Sequence, residues 1–455
     1  MKPGRITPTR AVLFIFLFAW LALFFSLRLW NKRPVIKDDV IGYYSYLPAV
    51  FIYGDITMDY ASGNPFFETR QYGTTAYQKG YVQKYTMGMA VIYSPFFFTG
   101  HILASLTGYP ADGYSTPYQM MLLLSGLVYG WLGLLVLRKL LRRYNTEGVS
   151  AAVMLVVGAG TNLNFYVLSD GAMPHAAMFF LITSFVWYSI RFYENPDWKT
   201  SLLMGLAGGL IVLARPNHIL IWSIPLFYGW LSPGGFRSQI AFFKKHFLLI
   251  LWWPLCLFII YLPQLIYWKH TTGSWFYYSY GQEGFFWTHP RVMDTLFSYR
   301  KGWLVYTPVM ISAIAGIIFL LKKIPELSVS VLVLLLFNIW ALSSWWCWWY
   351  GGSFGSRPFI DIYGPLALSM AALFTWTLQK IPYAKITGAL ILFFFIFMNN
   401  FQSIQYSRGV LHFDSMTKVA YWKTFLQIDK PDDFETSLKH PDYGKALKGE
   451  NEYDR

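Results

Sequence analysis

The sequence predicts an all-α polytopic membrane protein, and its composition and apolar runs are the observations that predict this class. Of the 455 residues, 55% are hydrophobic and only 13% are charged, and the mean hydropathy is +0.37. Soluble domains contain about 25% charged residues. Runs of about 20 apolar residues, the length of a helix that crosses a bilayer, recur along the chain.

The first apolar run, residues 11–30, follows a basic start that contains Lys2, Arg5 and Arg10. It ends in the basic segment 28–33 and is followed by no small-residue cleavage site. These features are typical of an uncleaved signal-anchor helix.

The apolar runs together predict about eleven membrane-spanning helices. They cover residues 11–30, 118–137, 149–168, 174–192, 199–214, 218–231, 247–267, 303–321, 327–345, 364–379 and 385–402. Segment 88–107 is also apolar, but Pro95 interrupts it and it contains His101. If it crossed the bilayer, the basic N-terminus and the basic cluster 138–143 would lie on opposite sides, so we expect a juxtamembrane helix.

This arrangement places the basic linkers and the N-terminus in the cytoplasm. Most of the net charge of +14 then marks orientation, and it does not indicate a nucleic-acid partner. Residues 1–402 are expected to form one transmembrane domain with outer loops at 31–117, 269–302 and 345–363, followed by a short charged outer tail, 403–455. Because long loops concentrate function, we expect the chemistry at the outer face.

Two adjacent carboxylates, Asp38 and Asp39, come soon after the first span. Acidic side chains are costly near lipid, and a carboxylate enclosed by aromatic residues can serve as a general base. Tyr43 and Tyr44 follow and suit sugar stacking. The alternatives are solvated aspartates at the start of a polar loop and tyrosines of the interfacial aromatic belt.

Arg215 lies at the junction of two short predicted spans, directly before Pro216. An arginine at this depth needs an anion or a route to water, and its planar fork suits a lipid phosphate. His218 lies one turn away, and His175 begins another span after a short outer loop. Either histidine can assist such a site or be a structural side chain.

The loop before the penultimate span contains Gly351, Gly352 and Gly355, which permit close backbone approach to a ligand. Arg357 and Asp361 follow at i and i+4, a spacing that also suits an ion pair holding the loop. The loop 269–302 adds Glu283 as a candidate for substrate contact. Neither metal-ligand spacing nor a nucleotide motif is present in the sequence, so neither a metal nor a nucleotide cofactor is expected.

The pattern over residues 11–402 resembles the GT-C superfamily of membrane glycosyltransferases, and it is similar to bacterial protein O-mannosyltransferases and the lipid A aminoarabinose transferase. Asp39 and Tyr43 match the family's spacing of an acidic residue and a tyrosine in the first outer loop, although Val40 replaces the usual glutamate. Arg215 occupies the place of a basic residue near the lipid-carrier phosphate. The glycine-rich segment 350–358 resembles the loop before a late span.

The resemblance implies an inverting transfer of a sugar from a polyprenyl-phosphate donor to an acceptor hydroxyl on a lipid, glycan or protein. Asp39, or Asp38, would be the base. Basic side chains would stabilise the departing phosphate, and the candidates are Arg215, His175, His218 and Arg357. Further substrate contacts are expected from Tyr43, Tyr44, Asp361 and Glu283. The location implied is the bacterial inner membrane with the site on its periplasmic side.

A transporter or flippase for a lipid-linked or anionic sugar is the main alternative. Transporters tend to contain inverted repeats and polar groups at mid-membrane depth. The sequence shows no repeat, and its candidate polar residues fall at span ends. A structural scaffold would leave the two aspartates and Arg215 unexplained.

Overall fold

The chain is mostly helical, and apolar helices long enough to cross a bilayer make it an integral membrane protein. The computed structural model describes residues 6–61, 74–77 and 80–450. Lys2 and Arg5, part of the predicted outer loop 31–117 and the last five residues of the predicted tail lie outside the described residues.

The N-terminal half of the chain contains ten α-helices within the described residues, together with one antiparallel hairpin. The helices are α1 (Pro8–Leu27), α2 (Leu29–Lys32), α3 (Asp38–Tyr44), α4 (Tyr46–Phe51), α5 (Gly88–Thr107), α6 (Thr116–Tyr144), α7 (Glu147–Ala159), α8 (Leu163–Leu168), α9 (His175–Glu194) and α10 (Trp198–Ala214). The hairpin strands are β1 (Thr74–Tyr77) and β2 (Gly80–Gln83). A short 3₁₀ helix, Asp59–Ala61, precedes the hairpin.

The second half begins after Ala214 with the 3₁₀ helix Pro216–Trp222. Its α-helices are α11 (Ser223–Phe227), α12 (Gly235–Lys245), α13 (Phe247–Ile250), α14 (Trp252–Thr272), α15 (Val292–Phe297), α16 (Trp303–Tyr306), α17 (Ile311–Lys323), α18 (Pro325–Ser344), α19 (Tyr363–Lys380), α20 (Ala384–Ser407), α21 (Lys418–Thr424) and α22 (Tyr443–Leu447). Further 3₁₀ helices are Pro308–Met310, Arg357–Ile362 and Glu435–Ser437.

The prediction of about eleven spans is not confirmed. Within the described residues, eight helical segments are long and apolar enough to cross a membrane. Predicted spans 149–168, 218–231 and 303–321 are each divided into shorter helices. Proline accounts for the break in 303–321, because Pro308 begins a 3₁₀ helix where an α-helix would need a backbone donor.

Helix α5, the segment 88–107, packs along the N-terminal half of α6. The Tyr129 hydroxyl of α6 donates to the Ile92 carbonyl at 2.7 Å, and His101 Nδ1 lies 2.5 Å from the Tyr118 hydroxyl. The two helices are therefore antiparallel. The residues of α5 that make these contacts meet α6 before its basic C-terminal turn. The length and composition of α5 also qualify it as a membrane-crossing helix.

The bundle has two chemically different ends. At the first, Arg142 pairs with Glu147, Arg143 pairs with Glu194, and Lys323 donates to Asn145 at 2.6 Å. These groups lie where α6, α9 and α17 end and α7 begins. At the opposite end, Arg33, just past α2, donates to the Ser169 carbonyl after α8. The candidate site residues gather at this second end.

The predicted outer tail is folded against the bundle. The Arg300 side chain is fully buried and donates to the carbonyls of Asp414 and Lys439 at 2.5 and 3.0 Å. Gln405 donates to the carbonyls of Thr424 and Gln427, which connects α20 to the segment around α21. The tail is therefore part of the structure that surrounds the second end of the bundle.

Candidate functional site at one end of the helical bundle

Helix α3 gives the two adjacent aspartates different environments. Asp38 is the first residue of α3 and has a positive φ of 48°. Its side chain is 55% exposed and lies 3.3 Å from Lys37 Nζ. Asp39 is one residue further on and is rotated toward the bundle, where its side chain is 31% exposed. Only Asp39 contacts the other candidate residues.

The Asp39 carboxylate is held by Arg357 and Tyr85. Arg357 Nη2 lies 2.6 Å from Oδ2, and the Tyr85 hydroxyl donates to Oδ1 at 2.6 Å. Burial alone would raise the pKa of Asp39, but the charge of Arg357 and the hydrogen bonds from Tyr85 and Arg357 hold that pKa below its ordinary value. Asp39 is therefore ionised at neutral pH while this pairing persists.

Asp361 is the centre of a second, fully enclosed cluster. His175 Nδ1 lies 2.8 Å from Oδ1, while His218 Nε2 and Arg215 Nη1 lie 2.6 and 3.0 Å from Oδ2. The Asp361 side chain has no exposed surface, whereas Arg215 keeps 13% of its side-chain surface exposed. His175 Nε2 and His218 Nδ1 are buried and have no hydrogen-bond partner within the described part of the chain.

The alternative of an Arg357–Asp361 ion pair is not found within the described residues, and the local helix type explains why. Residues 357–362 form a 3₁₀ helix with three residues per turn, so side chains at i and i+4 point in different directions. Arg357 therefore turns to Asp39, and Asp361 turns to Arg215 and the two histidines. Gly355 precedes this helix with a φ of +62°, and a Cβ there would lie 3.0 Å from the Tyr306 side chain.

Tyr43 and Tyr44 have separate surroundings although both were predicted to bind substrate. Tyr43 stacks on Tyr85 with ring centroids 4.1 Å apart, beside Asp39. Burial raises the pKa of Tyr43 to about 12, against the nearby charge of Arg215. Tyr44 is fully buried, and its hydroxyl donates to the Gly113 carbonyl at 2.5 Å. The contacts of Tyr44 hold the predicted first outer loop. They do not reach the charged cluster, which consists of Asp39, Arg357, Arg215 and Asp361.

Glu283 lies at the edge of this region, in the loop that follows α14. It forms an ion pair with Lys84 at 2.5 Å and accepts a hydrogen bond from Trp346 Nε1 at 3.0 Å. The positive charge of Lys84 also contributes to lowering the pKa of Asp39. Glu283 is thus connected to the Asp39 region through Lys84.

Several residues around the charged cluster were not predicted as site residues. They are Lys84, Tyr85, Asp170, Tyr280 and Tyr350. Burial raises the pKa of Asp170, although the charges of Arg33 and Arg357 oppose this effect. The sequence feature that could have identified Asp170 as a site residue is its position in a short turn before the helix that begins with His175. Tyr85 and Tyr280 belong to aromatic-rich loops, in which sequence alone does not separate site residues from packing residues.

One group of potential metal ligands lies in the tail. Ligand atoms of His412, Asp414 and His440 lie within 4.8 Å of one another. However, His412 Nδ1 accepts hydrogen bonds from two backbone N–H groups, and the Asp414 carboxylate accepts from Ser415 and Tyr443. These hydrogen bonds explain why the polar side chains lie close together, because they connect segments of the tail to one another.

The charged cluster combines a partly accessible carboxylate with two arginines that remain partly accessible. Asp39 can accept a proton if Arg357 is drawn away from it, and Arg215 and Arg357 can bind an anion. Their two positive charges are balanced by Asp39 and Asp361 while the pairs persist.

In comparisons with known proteins, no family model matches the chain and no curated protein matches its sequence.

Proposed function

We propose that the protein is an inverting glycosyltransferase that moves a sugar from a polyprenyl-phosphate donor to an acceptor hydroxyl on a lipid, glycan or protein. The observation that carries this proposal is the convergence of Asp39, Arg357, Arg215 and Asp361 at one end of a bundle of apolar helices. A donor of this kind has its isoprenoid chain in the membrane and its phosphate at the membrane border. The site would lie on the periplasmic side of a bacterial inner membrane.

In the proposed reaction, Asp39 accepts the proton of the acceptor hydroxyl while that oxygen forms a bond to the anomeric carbon. The bond between the anomeric carbon and the phosphate oxygen breaks, and the electron pair leaves with the lipid phosphate. The configuration at the anomeric carbon is inverted. Arg215 and Arg357 stabilise the charge that develops on the leaving phosphate, a type of contribution that is often large in enzymes.

The pairing of Asp39 with Arg357 implies that the donor binds before Asp39 accepts the proton. An ion-paired Asp39 is a weak base because its pKa is lowered. If the donor phosphate attracts the Arg357 guanidinium, Asp39 loses its nearest cation and its pKa rises toward the range suited to proton transfer. Donor binding would thus activate the base. Arg215 stays oriented by Asp361, which is itself held by His175 and His218.

A transfer assay with purified protein, polyprenyl-phosphate sugars and cell-envelope acceptors tests this proposal. We expect Asp39→Asn to lower the rate of transfer about 10³-fold, the usual contribution of a general base. Asp38→Asn is the matched control, because Asp38 is exposed and its ion pair among the described residues is with the neighbouring Lys37, and it should retain activity within about twofold.

Equal transfer by wild type and Asp39→Asn would contradict the role of Asp39. If no transfer occurs with any donor but the lipid-linked sugar changes leaflet in reconstituted vesicles, the flippase alternative is correct. The two outcomes differ in product, because only the transferase breaks the bond between sugar and phosphate.

A further inference from the structure

Two outer loops and the tail enclose a cavity that is separate from the charged cluster. Its volume is about 570 Å³, which lies within the usual range for small-molecule sites. One wall comes from the loop before α15, a second from the end of α18 and the tryptophan-rich segment after it, and a third from residues 446–450 of the tail.

Backbone contacts fix the positions of these walls. The Phe286 N–H donates to the Ser344 carbonyl at 2.6 Å, and the Arg291 N–H donates to the Ser343 carbonyl at 2.8 Å. The Arg291 side chain also donates to the Glu450 carbonyl at 3.3 Å, which connects the loop to the tail. The cavity is therefore preformed, and its lining does not depend on a single loop.

The lining combines aromatic faces with a few polar groups. Phe286, Trp345 and Trp346 supply aromatic surface and are each only partly buried. Arg291 and Lys448 supply positive charge, and Glu450 supplies one negative charge, so the lining favours a neutral or weakly anionic ligand. Sugar rings have apolar C–H faces and polar hydroxyl edges, and a site of this composition complements both.

The cavity is connected to Asp39 through a short series of aromatic contacts. The Trp345 and Tyr280 rings meet edge to face with centroids 5.6 Å apart, and Tyr280 meets Tyr85 in the same way at 5.9 Å. Tyr85 donates to Asp39. A second connection runs from Trp346 through Glu283 to Lys84. Two successive ring contacts therefore separate the cavity wall from the residue that donates to Asp39, which places the cavity within reach of an extended ligand whose end lies at the base.

We propose that this cavity binds the non-reacting part of an acceptor glycan, with Phe286, Trp345 and Trp346 against its sugar rings and Arg291 and Lys448 at its polar edges. This inference rests on the proposed glycosyltransferase function, because it assigns the acceptor class for the same site. It predicts that an acceptor which fills the cavity is preferred over a small free alcohol, since the alcohol would make none of these contacts.

Binding of oligosaccharides in the absence of donor tests the assignment. The full-length Asp39→Asn protein in nanodiscs would be titrated with maltohexaose, chitohexaose and hexagalacturonate, with tryptophan fluorescence and calorimetry as readouts. At least one probe should bind saturably, and Phe286→Ala should weaken its binding about tenfold, the size of a lost aromatic contact. Lys448→Ala should weaken hexagalacturonate more than maltohexaose.

Trp287→Ala is the matched control, because Trp287 neighbours Phe286 and stacks on Phe285 but does not line the cavity. Its binding should equal that of the parent protein. Unchanged affinity in both Phe286→Ala and Lys448→Ala, or no binding of any probe, would overturn the assignment. Equal binding of a tryptophan-containing pentapeptide would instead show a peptide site and also overturn it.

The experiments distinguish failure of this assignment of the cavity from failure of the proposed transferase function. Oligosaccharide binding without any transfer by the wild-type protein would leave a glycan-binding cavity but remove the transferase reaction, and with it the role of the bound glycan as acceptor. Transfer that depends on Asp39, together with no glycan binding in the cavity, would support the transferase reaction and overturn the assignment of the cavity.

Discussion

Asp39 and Asp361 each pair with an arginine at the same end of the bundle, yet their surroundings differ. Asp361 has no exposed side-chain surface and is contacted by Arg215, His175 and His218. Asp39 keeps 31% of its side-chain surface exposed and is contacted by Arg357 and Tyr85. The first carboxylate is saturated with partners, and the second retains access for another molecule.

This difference separates a positioning role from a reacting one. A fully enclosed carboxylate with several donors cannot approach a substrate hydroxyl without the loss of those partners, and such a loss is costly in a buried site. A partly exposed carboxylate can exchange one partner for a ligand at low cost. We therefore assign Asp361 to the orientation of Arg215 and keep Asp39 as the proposed base, which revises the expectation that Asp361 contacts substrate.

The largest effect is expected from Asp361→Asn, which would leave Arg215 without its anionic partner in a largely buried site. Breaking a buried ion pair by removal of one partner costs about 3 kcal/mol or more. We expect a lower free energy of unfolding by this amount, measured by denaturant or thermal unfolding of the purified protein with tryptophan fluorescence as readout.

Asp39→Asn provides the matched comparison, because its pair is partly exposed and should change the free energy of unfolding by about 1 kcal/mol or less. If the two variants were equally stable, the distinction between an enclosed and an accessible carboxylate would have no energetic basis.

A smaller effect is expected from Arg357→Gln, which removes a charge proposed to stabilise the leaving phosphate. Loss of one such group costs about 10²-fold in the rate of the chemical step. The transfer rate at saturating donor should fall by this factor, and Arg357→Lys should restore part of it. A transfer rate unaffected by Arg357→Gln would show that Arg357 has no part in phosphate departure.

The smallest effect is expected from Tyr85→Phe, which removes one hydrogen bond to Asp39. Because that bond favours the ionised carboxylate, its loss raises the pKa of Asp39. The acidic limb of the pH–rate profile should move to higher pH, while the plateau rate changes little.

Tyr53→Phe is the control for this pH shift, because the Tyr53 hydroxyl donates to the Asp112 carbonyl and, within the described residues, does not bond to Asp39. An acidic limb that stays in place in Tyr85→Phe would contradict the assignment of that limb to Asp39.

The candidate site was only partly accessible to sequence reasoning. Asp39, Arg215, His175, His218 and Arg357 stood out because each polar side chain lies beside an apolar segment, away from the basic linkers, and needs a partner there. The structure brings all five to one end of the bundle. The partners of these residues were not predictable. Arg357 and Asp361 were spaced for pairing in an α-helix, but the 3₁₀ geometry of residues 357–362 directs them to different partners.

The sequence by itself determined the class of this protein and the candidate polar groups, because apolar length and rare buried charges are local properties of a chain. The tertiary structure decided which aspartate is accessible, which arginine each one meets, and where the tail lies. Tyr85, Tyr280 and the tryptophan-lined cavity also depend on the tertiary fold. These features depend on contacts between segments far apart in sequence, such as α3 with residues 357–362, and no local pattern contains that information.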